Sequence, residues 1–227
     1  MKTKPPPKIN LADLPQKAIV PEGVGGHWLG VSHFHIASAV ETAIGEITRQ
    51  ETLGDFWLIG TDAAGLVGSW HVPSLWKSLD NLGHVVLVVD PRLGHARPSI
   101  YWGDYDFRLY STEKTHGKQT KGKEFCFELT SQIVESYATM KNQAATARQR
   151  EAALMKQKHL TTPQMDTLIA EACRKEIIPW SSARLHSGKP QTPGEFLEWL
   201  REVVGRNPVH HRPRQYLAAF ELMTKEK

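Results

Sequence analysis

A run of lysines between residues 114 and 123 has the residue types and spacing best suited to hold an anion. Its cationic members are Lys114, Lys118, Lys121 and Lys123, with His116 between them. Glycines interrupt the run, and an apolar helical pattern begins directly after it, at Phe125. Flexible cations beside the positive end of a helix dipole attract phosphates without reading a base sequence. The pattern predicts a phosphate-binding loop, although a solvated surface loop has the same composition.

The segment GKQTKGKE, residues 117–124, differs at one position from the phosphate loop of nucleotide triphosphatases. Gly117, Gly122 and Lys123 fit that pattern, but Glu124 stands where a magnesium-holding hydroxyl is required. The strand expected before the loop is amphipathic, and the apolar run Val85–Asp90 precedes the loop where the pattern needs it to follow. These departures argue against an ATP site, and we expect no cofactor.

The segment Ser99–Tyr110 alternates in polarity and predicts one strand with an open face. Trp102, Tyr110 and Arg108 share that face. Aromatic platforms beside a cation are what single-stranded nucleic acid requires, because every base has a stackable face. We therefore expect these three residues, the four lysines and His116 to form a nucleic-acid site.

Two aspartates, Asp104 and Asp106, share the same strand face and offer an alternative. Carboxylates two residues apart on a strand could hold a divalent metal for phosphodiester hydrolysis. The sequence shows no third acidic ligand with an adjacent catalytic lysine, and such pairs are more often plain surface residues. A metal-dependent nuclease is thus the weaker hypothesis.

Hydrophobic periodicity predicts an α+β fold that segregates its strands from its helices. Ser32 can cap a first helix that ends near Gln50. Four mainly antiparallel strands follow, then one long helix, and three further helices open at capping signals around Thr162-Pro163, Thr192–Glu195 and Arg212-Pro213. The strands are expected at Leu53–Gly60, Gly65–Val72, His84–Asp90 and Ser99–Tyr110, and the long helix at about Glu124–Lys158.

Composition divides the 227 residues into three parts. A Pro- and Gly-rich stretch predicts a flexible arm over residues 1–26, with room for a short ordered patch at Ile9–Leu14. An α+β core over 27–158 and a helical subdomain over 159–227 follow it. The net charge is +4, and residues 141–158, with five cations and one acid, carry the same excess. Two cysteines and no long apolar run predict a cytoplasmic protein without a membrane partner.

Four segments together resemble a phage and plasmid protein family of unknown function. They are VSHFHIASAVETAI (Val31–Ile44), EKTHGK (Glu113–Lys118), LTTPQMDTLIAEACRKEIIPWS (Leu160–Ser181) and RPRQYLAAFELMTK (Arg212–Lys225). The run VVDPRLGHARPSIYWGDYDF departs from the polar pattern of that family. The order of helix, meander and long helix is also similar to single-strand annealing proteins, which implies an ATP-independent oligomer on DNA.

These observations favour a non-enzymatic phage or mobile-element protein that binds single-stranded nucleic acid, with strand annealing or recombination as its role. Such a protein could act as a homo-oligomer, with the apolar seam from Ile133 to Leu154 as a packing or subunit surface. A phage protein that binds and inhibits a host or defence protein is the alternative, because exposed tryptophans also anchor protein interfaces.

Overall fold

A computed structural model gives the arrangement of the chain. It describes residues 8–17, 31–49, 56–61, 65–72, 84–89, 98–103, 109–114, 122–184, 186, 191–208 and 211–224. Within these ranges an antiparallel sheet is followed by a helical half, so the expected α+β class is confirmed. No helix of this part of the chain combines the length and the apolar character needed to cross a membrane.

The sheet has six antiparallel strands whose order in space follows their order in the chain. They are β1 (Lys8–Ile9), β2 (Phe56–Thr61), β3 (Leu66–His71), β4 (His84–Val89), β5 (Ser99–Gly103) and β6 (Leu109–Lys114). The first three expected core strands are confirmed as β2, β3 and β4. The expected count of four strands is too low for two reasons. β1, from the N-terminal segment, adds a strand at one edge of the sheet, and the segment expected to be the fourth strand forms two strands, β5 and β6.

The single strand expected over Ser99–Tyr110 is the main error in the sheet. β5 and β6 pair antiparallel, with Gly103 opposite Leu109, so the chain reverses between these residues. The intervening residues 104–108 lie outside the described part of the chain. The alternation of polar and apolar residues does not reveal this reversal. When the connection between two strands has a length that keeps the alternation in phase, the same pattern runs through both strands of a hairpin.

The helices are α1 (His33–Thr48), α2 (Gly122–Leu154), α3 (Thr162–Arg174), α4 (Trp180–Ala183), α5 (Pro193–Val204) and α6 (Arg212–Thr224). Their starts confirm the capping signals: Ser32 accepts a hydrogen bond from the His35 backbone, and Thr192 and Glu195 form a capping box. The cap of α3 is Thr161, one residue before the expected one. The four-residue α4 has no periodicity long enough to predict it.

A buried row of side chains crosses the sheet on the face that α1 and α2 cover. The register places Phe56, Trp70, Val85 and Trp102 directly opposite one another on four successive strands. All four are at most 3% exposed. The Phe56 and Trp70 rings lie 4.8 Å apart, and the Trp102 ring lies 5.8 Å from that of Tyr137 on α2. These contacts fix the position of α2 on the sheet.

The N-terminal segment and the C-terminal helices belong to the same apolar core. Leu11 and Leu14 are buried in it, and the short ordered patch expected at Ile9–Leu14 within the N-terminal arm is present there. Side chains of α3, α5 and α6 join one continuous cluster with those of the sheet and of α1 and α2. The seam on α2 from Ile133 to Leu154 is thus a packing surface within the chain, with Ile133, Ala147 and Leu154 buried.

Glu151, which interrupts that seam in the sequence, is a buried ion-pair partner. Arg201 of α5 donates two hydrogen bonds to its carboxylate, from Nη1 to Oε1 at 2.6 Å and from Nη2 to Oε2 at 3.0 Å. The two side chains are only 6% and 10% exposed. Arg201 also donates to Glu198, which is 40% exposed. The charge that broke the apolar pattern therefore joins the long helix to the C-terminal helices.

Candidate functional site

The junction between β6 and α2 contains the lysine run. Lys114 is the last residue of β6 and pairs with Ser99. Lys123 is the second residue of α2, and its side chain is exposed. His116, Lys118 and Lys121 lie outside the described residues. The lysine run therefore connects the edge strand of the sheet to the start of a 33-residue helix.

Trp102 is not the exposed stacking platform that the alternating polarity of its strand predicted. Its side chain is 0% exposed and packs against Tyr137, because α2 covers this face of the sheet. Tyr101, which points to the other face, is also buried. The expectation of an open aromatic face at Trp102 is wrong. Tyr110 lies in β6, and Arg108 lies outside the described part of the chain.

The metal hypothesis gains no support among the described residues. Asp104 and Asp106 fall in the undescribed connection between β5 and β6. Among the residues that the structure describes, no group of three or more histidines, cysteines or acidic residues is placed to hold a metal ion. A nuclease site is therefore not proposed.

An open groove of about 430 Å³ lies between the first turns of α1 and α2, next to the lysine run. We call it the α1–α2 groove. Hydroxyl and imidazole side chains stand beside Val31 and Ala39 on its α1 wall, and a glycine, a lysine, a thiol, a threonine and an aromatic ring stand on its α2 wall. The main lining residues are Ser32, His35, Ser38 and Thr42 from α1, Gly122, Lys123, Cys126 and Phe127 from α2, and Gln16 from the N-terminal segment.

Two contacts show that α1 and α2 run parallel along this groove. The Cys126 thiol lies 3.7 Å from the His35 carbonyl oxygen, and the Thr130 hydroxyl donates to the Ala39 carbonyl at 3.0 Å. Both contacts join residues 91 positions apart, so the register is constant over a full turn. The N-termini of both helices consequently lie at the same end of the groove.

Two parallel N-termini make that end electropositive. Each helix carries roughly half a positive charge at its N-terminus, and the groove-lining Lys123 adds a full one. The exposed Glu124 belongs to the same first turn of α2 but does not line the groove. Gly122 begins α2 at φ +62°, a left-handed conformation in which glycine is unstrained. An anion at this end of the groove meets favourable charge from both helices.

The groove is not arranged for nucleophilic chemistry. Ser32 is 2% exposed, and its hydroxyl caps α1 while it also bonds to Nδ1 of His35 at 2.6 Å. Partial burial raises the pKa of the Cys126 thiol, which keeps it protonated and unreactive at neutral pH. Ser32 and Cys126 therefore hold the walls of the groove in place and are not activated as nucleophiles.

Phe127 is the functional candidate that the sequence did not reveal. Its side chain is 77% exposed, the largest exposure of any large apolar side chain in the described part of the chain. It lies one turn after Lys123, so an aromatic ring and a cation stand together on one face of α2. Phe125 and Leu129, on either side in sequence, are buried. The sequence signal for Phe127 is its position four residues after Lys123, which puts both side chains on one face of a helix. The apolar neighbours Phe125 and Leu129 hide this signal, because they make Phe127 look like another core residue.

No family model matches this chain, and no curated protein or solved structure is significantly similar to it. The resemblance to a phage and plasmid family remains a prediction. The fold and the groove therefore carry the functional argument.

Proposed function

We propose that this protein binds single-stranded nucleic acid at the α1–α2 groove and the adjoining lysine run. The observation that carries this proposal is the placement of exposed Lys123 and Phe127 on one face of α2, beside two parallel helix N-termini. Phosphates would lie against the lysines and helix ends, and a base would stack on Phe127. Phe127 thus takes the base-stacking role predicted for Trp102.

The proposed setting follows from the sequence resemblance. It is a phage or mobile element, with the protein acting in the host cytoplasm in strand annealing or recombination as a homo-oligomer. The proposal needs no cofactor and assigns no catalytic step.

The phosphate contacts are tested by changing Lys114, Lys118, Lys121 and Lys123 to Ala and measuring affinity for a labelled oligothymidylate over a range of salt concentrations. Each phosphate contact to a single strand contributes about 0.7 to the slope of log affinity against log salt. The quadruple variant should lose up to about 3 in this slope. A control that removes the same charge is the quadruple Ala variant of Arg174, Lys175, Arg184 and Arg214. Equal losses in the two variants would show a net-charge effect and refute the site.

Base stacking is tested separately by Phe127→Ala. Stacking of one base on an aromatic side chain is worth about 1–3 kcal/mol, so affinity should fall by roughly 5- to 150-fold. A phosphodiester oligomer of the same length without bases should bind both proteins equally. If Phe127→Ala weakens the binding of that oligomer too, the ring does not stack on a base.

The exposed Trp180 favours a second candidate, a protein that inhibits a host or defence factor. Its side chain is 61% exposed on the short helix α4, and tryptophan is among the residues enriched at interface hot spots. This candidate predicts a host partner that is retained after nuclease treatment and lost with Trp180→Ala.

A further inference from the structure

The imidazole of His35 stands on the α1 wall of the α1–α2 groove, and its side chain is exposed. His35 is the third residue of α1, where a capping box places a glutamate or glutamine that reaches back to the cap. The imidazole reaches back instead, since its Nδ1 lies 2.6 Å from the hydroxyl oxygen of the cap, Ser32. The first turn of α1 contains no acidic residue. This wall therefore presents a hydrogen-bonding ring to the groove where a carboxylate is common.

The Ser32 hydroxyl determines which nitrogen of the His35 ring carries the hydrogen. Its oxygen accepts a hydrogen bond from the His35 backbone N–H at 3.2 Å, and Ser32 is only 2% exposed. Among the described residues, Nδ1 of His35 is the one acceptor within reach of the hydroxyl hydrogen. Leaving a buried donor without an acceptor is costly. The hydroxyl is therefore the donor to Nδ1, and the hydrogen of the neutral ring lies on Nε2.

Lys123 stands across the groove from this ring. The geometry of an imidazole directs Nε2–H away from Ser32, and within the described part of the chain Nε2 has no hydrogen-bond partner. The constant offset of 91 residues between the helices puts Lys123 level with Ser32, and His35 level with Cys126. Along the helix axes, Lys123 and His35 are thus about 4.5 Å apart. An ammonium group and an N–H donor consequently meet at one end of the groove.

We propose that His35 is a phosphate-binding residue of the groove, which donates its Nε2–H to a phosphate oxygen held beside Lys123. The inference rests on the proposed function, and it adds a directional contact to the charge and stacking contacts of the site. A lysine ammonium attracts phosphate from a range of directions, whereas a single N–H requires the acceptor oxygen near its own axis. Ser32 is the positioning residue, because its hydroxyl keeps the hydrogen on Nε2.

Salt dependence separates this contact from a lysine contact. A neutral N–H donor releases no counterion, so His35→Phe should weaken the binding of a labelled oligothymidylate without changing the slope of log affinity against log salt. The expected loss is about tenfold or more, the lower end for a hydrogen bond to a charged acceptor. Lys123→Ala should instead reduce the slope by about 0.7.

Two further substitutions of His35 test the need for a donor. His35→Gln and His35→Glu have nearly the same shape, and both suit the capping box of α1. Gln keeps an N–H donor and should retain most of the affinity. Glu offers only acceptors and places a negative charge in the groove, so His35→Glu should bind more weakly than His35→Phe.

His159→Phe is the matched control for His35→Phe. His159 is also exposed, but it lies beyond the far end of α2, whose length from Lys123 to Leu154 is about 46 Å. His159→Phe should therefore change neither the affinity nor the salt slope.

The positioning role of Ser32 is tested by Ser32→Gly, because glycine retains most of the capping preference. This change should weaken binding in the wild type and add nothing in the His35→Phe background, whereas a purely structural effect would persist in both. Nitrogen-15 NMR of the free protein should find the hydrogen of the neutral His35 ring on Nε2.

The possible failures of this proposal and of the proposed function are distinct. If His35→Phe binds like the wild type while Lys123→Ala lowers the slope, the His35 contact is refuted and the groove remains. A reduced slope in His35→Phe, or a hydrogen on Nδ1 of the neutral ring, would also overturn the assignment. If the wild-type protein binds no oligothymidylate at low salt, the proposed function fails and this contact fails with it.

Discussion

The buried pair between Glu151 and Arg201 gives a sharp test of how the long helix is held to the C-terminal helices. Two hydrogen bonds of 2.6 and 3.0 Å join these side chains, which are 10% and 6% exposed. Removing the carboxylate with Glu151→Ala leaves a buried guanidinium without its main partner. Breaking a buried pair in this way costs about 3–5 kcal/mol.

The size of the loss depends on burial, so Glu198 is the matched control. Its carboxylate binds the same guanidinium at 2.9 Å but is 40% exposed. Exposed pairs contribute about 0–1 kcal/mol, and Glu198→Ala should cost no more than that. Replacing both Glu151 and Arg201 with Met removes both charges together and should be close to neutral, because the cost of desolvating the pair is removed with it.

Urea unfolding, followed by circular dichroism, measures these free energies, and thermal unfolding gives an independent check. At about 2–4 °C per kcal/mol for a chain of this length, Glu151→Ala should lower Tm by about 6–20 °C. A loss below about 1 kcal/mol for Glu151→Ala, or a double Met variant as unstable as the single one, would refute the reasoning.

Three further predictions concern single positions. Burial raises the pKa of the Glu41 carboxyl above its usual value of 4.5. The stability contributed by the protonated form is present below that usual value and is lost as the pH rises through the raised pKa, so Glu41→Gln should gain in unfolding free energy on the wild type as the pH rises above 4.5. Gly194→Ala places a Cβ 2.1 Å from Sδ and 2.9 Å from Cα of Met155, which should cost about 1–3 kcal/mol in urea unfolding, only partly relieved by Met155→Ala. Gly122→Ala meets no atom within 4 Å but adopts φ +62°, so it should cost about 1–2 kcal/mol from backbone strain, and Gly122→Asn should cost less.

Local chemistry was enough to predict most of the helices. Ser32 and Thr192 cap their helices through bonds to residues three positions on, so the signal and the structure lie in the same few residues. The long helix was also predictable, because its seam repeats over many turns. Short elements such as α4 carry no repeat and were missed.

The site was harder to predict, because it depends on contacts between distant segments. Trp102 alternates as a residue of an exposed face would, yet it is buried because α2 covers that face of the sheet. Phe127 lies between buried apolar neighbours and is exposed, and nothing within α2 shows which side α1 will occupy. The pairing of Glu151 with Arg201 spans 50 residues, so the sequence showed only an interrupted pattern.

The parallel arrangement of α1 and α2 has a consequence for folding. The two walls of the groove are 91 residues apart in the chain, and all of β2 to β6 lies between them. Sheet strands that follow one another can pair locally, whereas closing the groove first would cost the loop entropy of the whole intervening segment, so we expect the sheet to form before the groove. A fragment containing α2 alone would therefore lack the groove. Any ligand held between the two walls would stabilise the whole sheet against unfolding, since it binds only the completed fold.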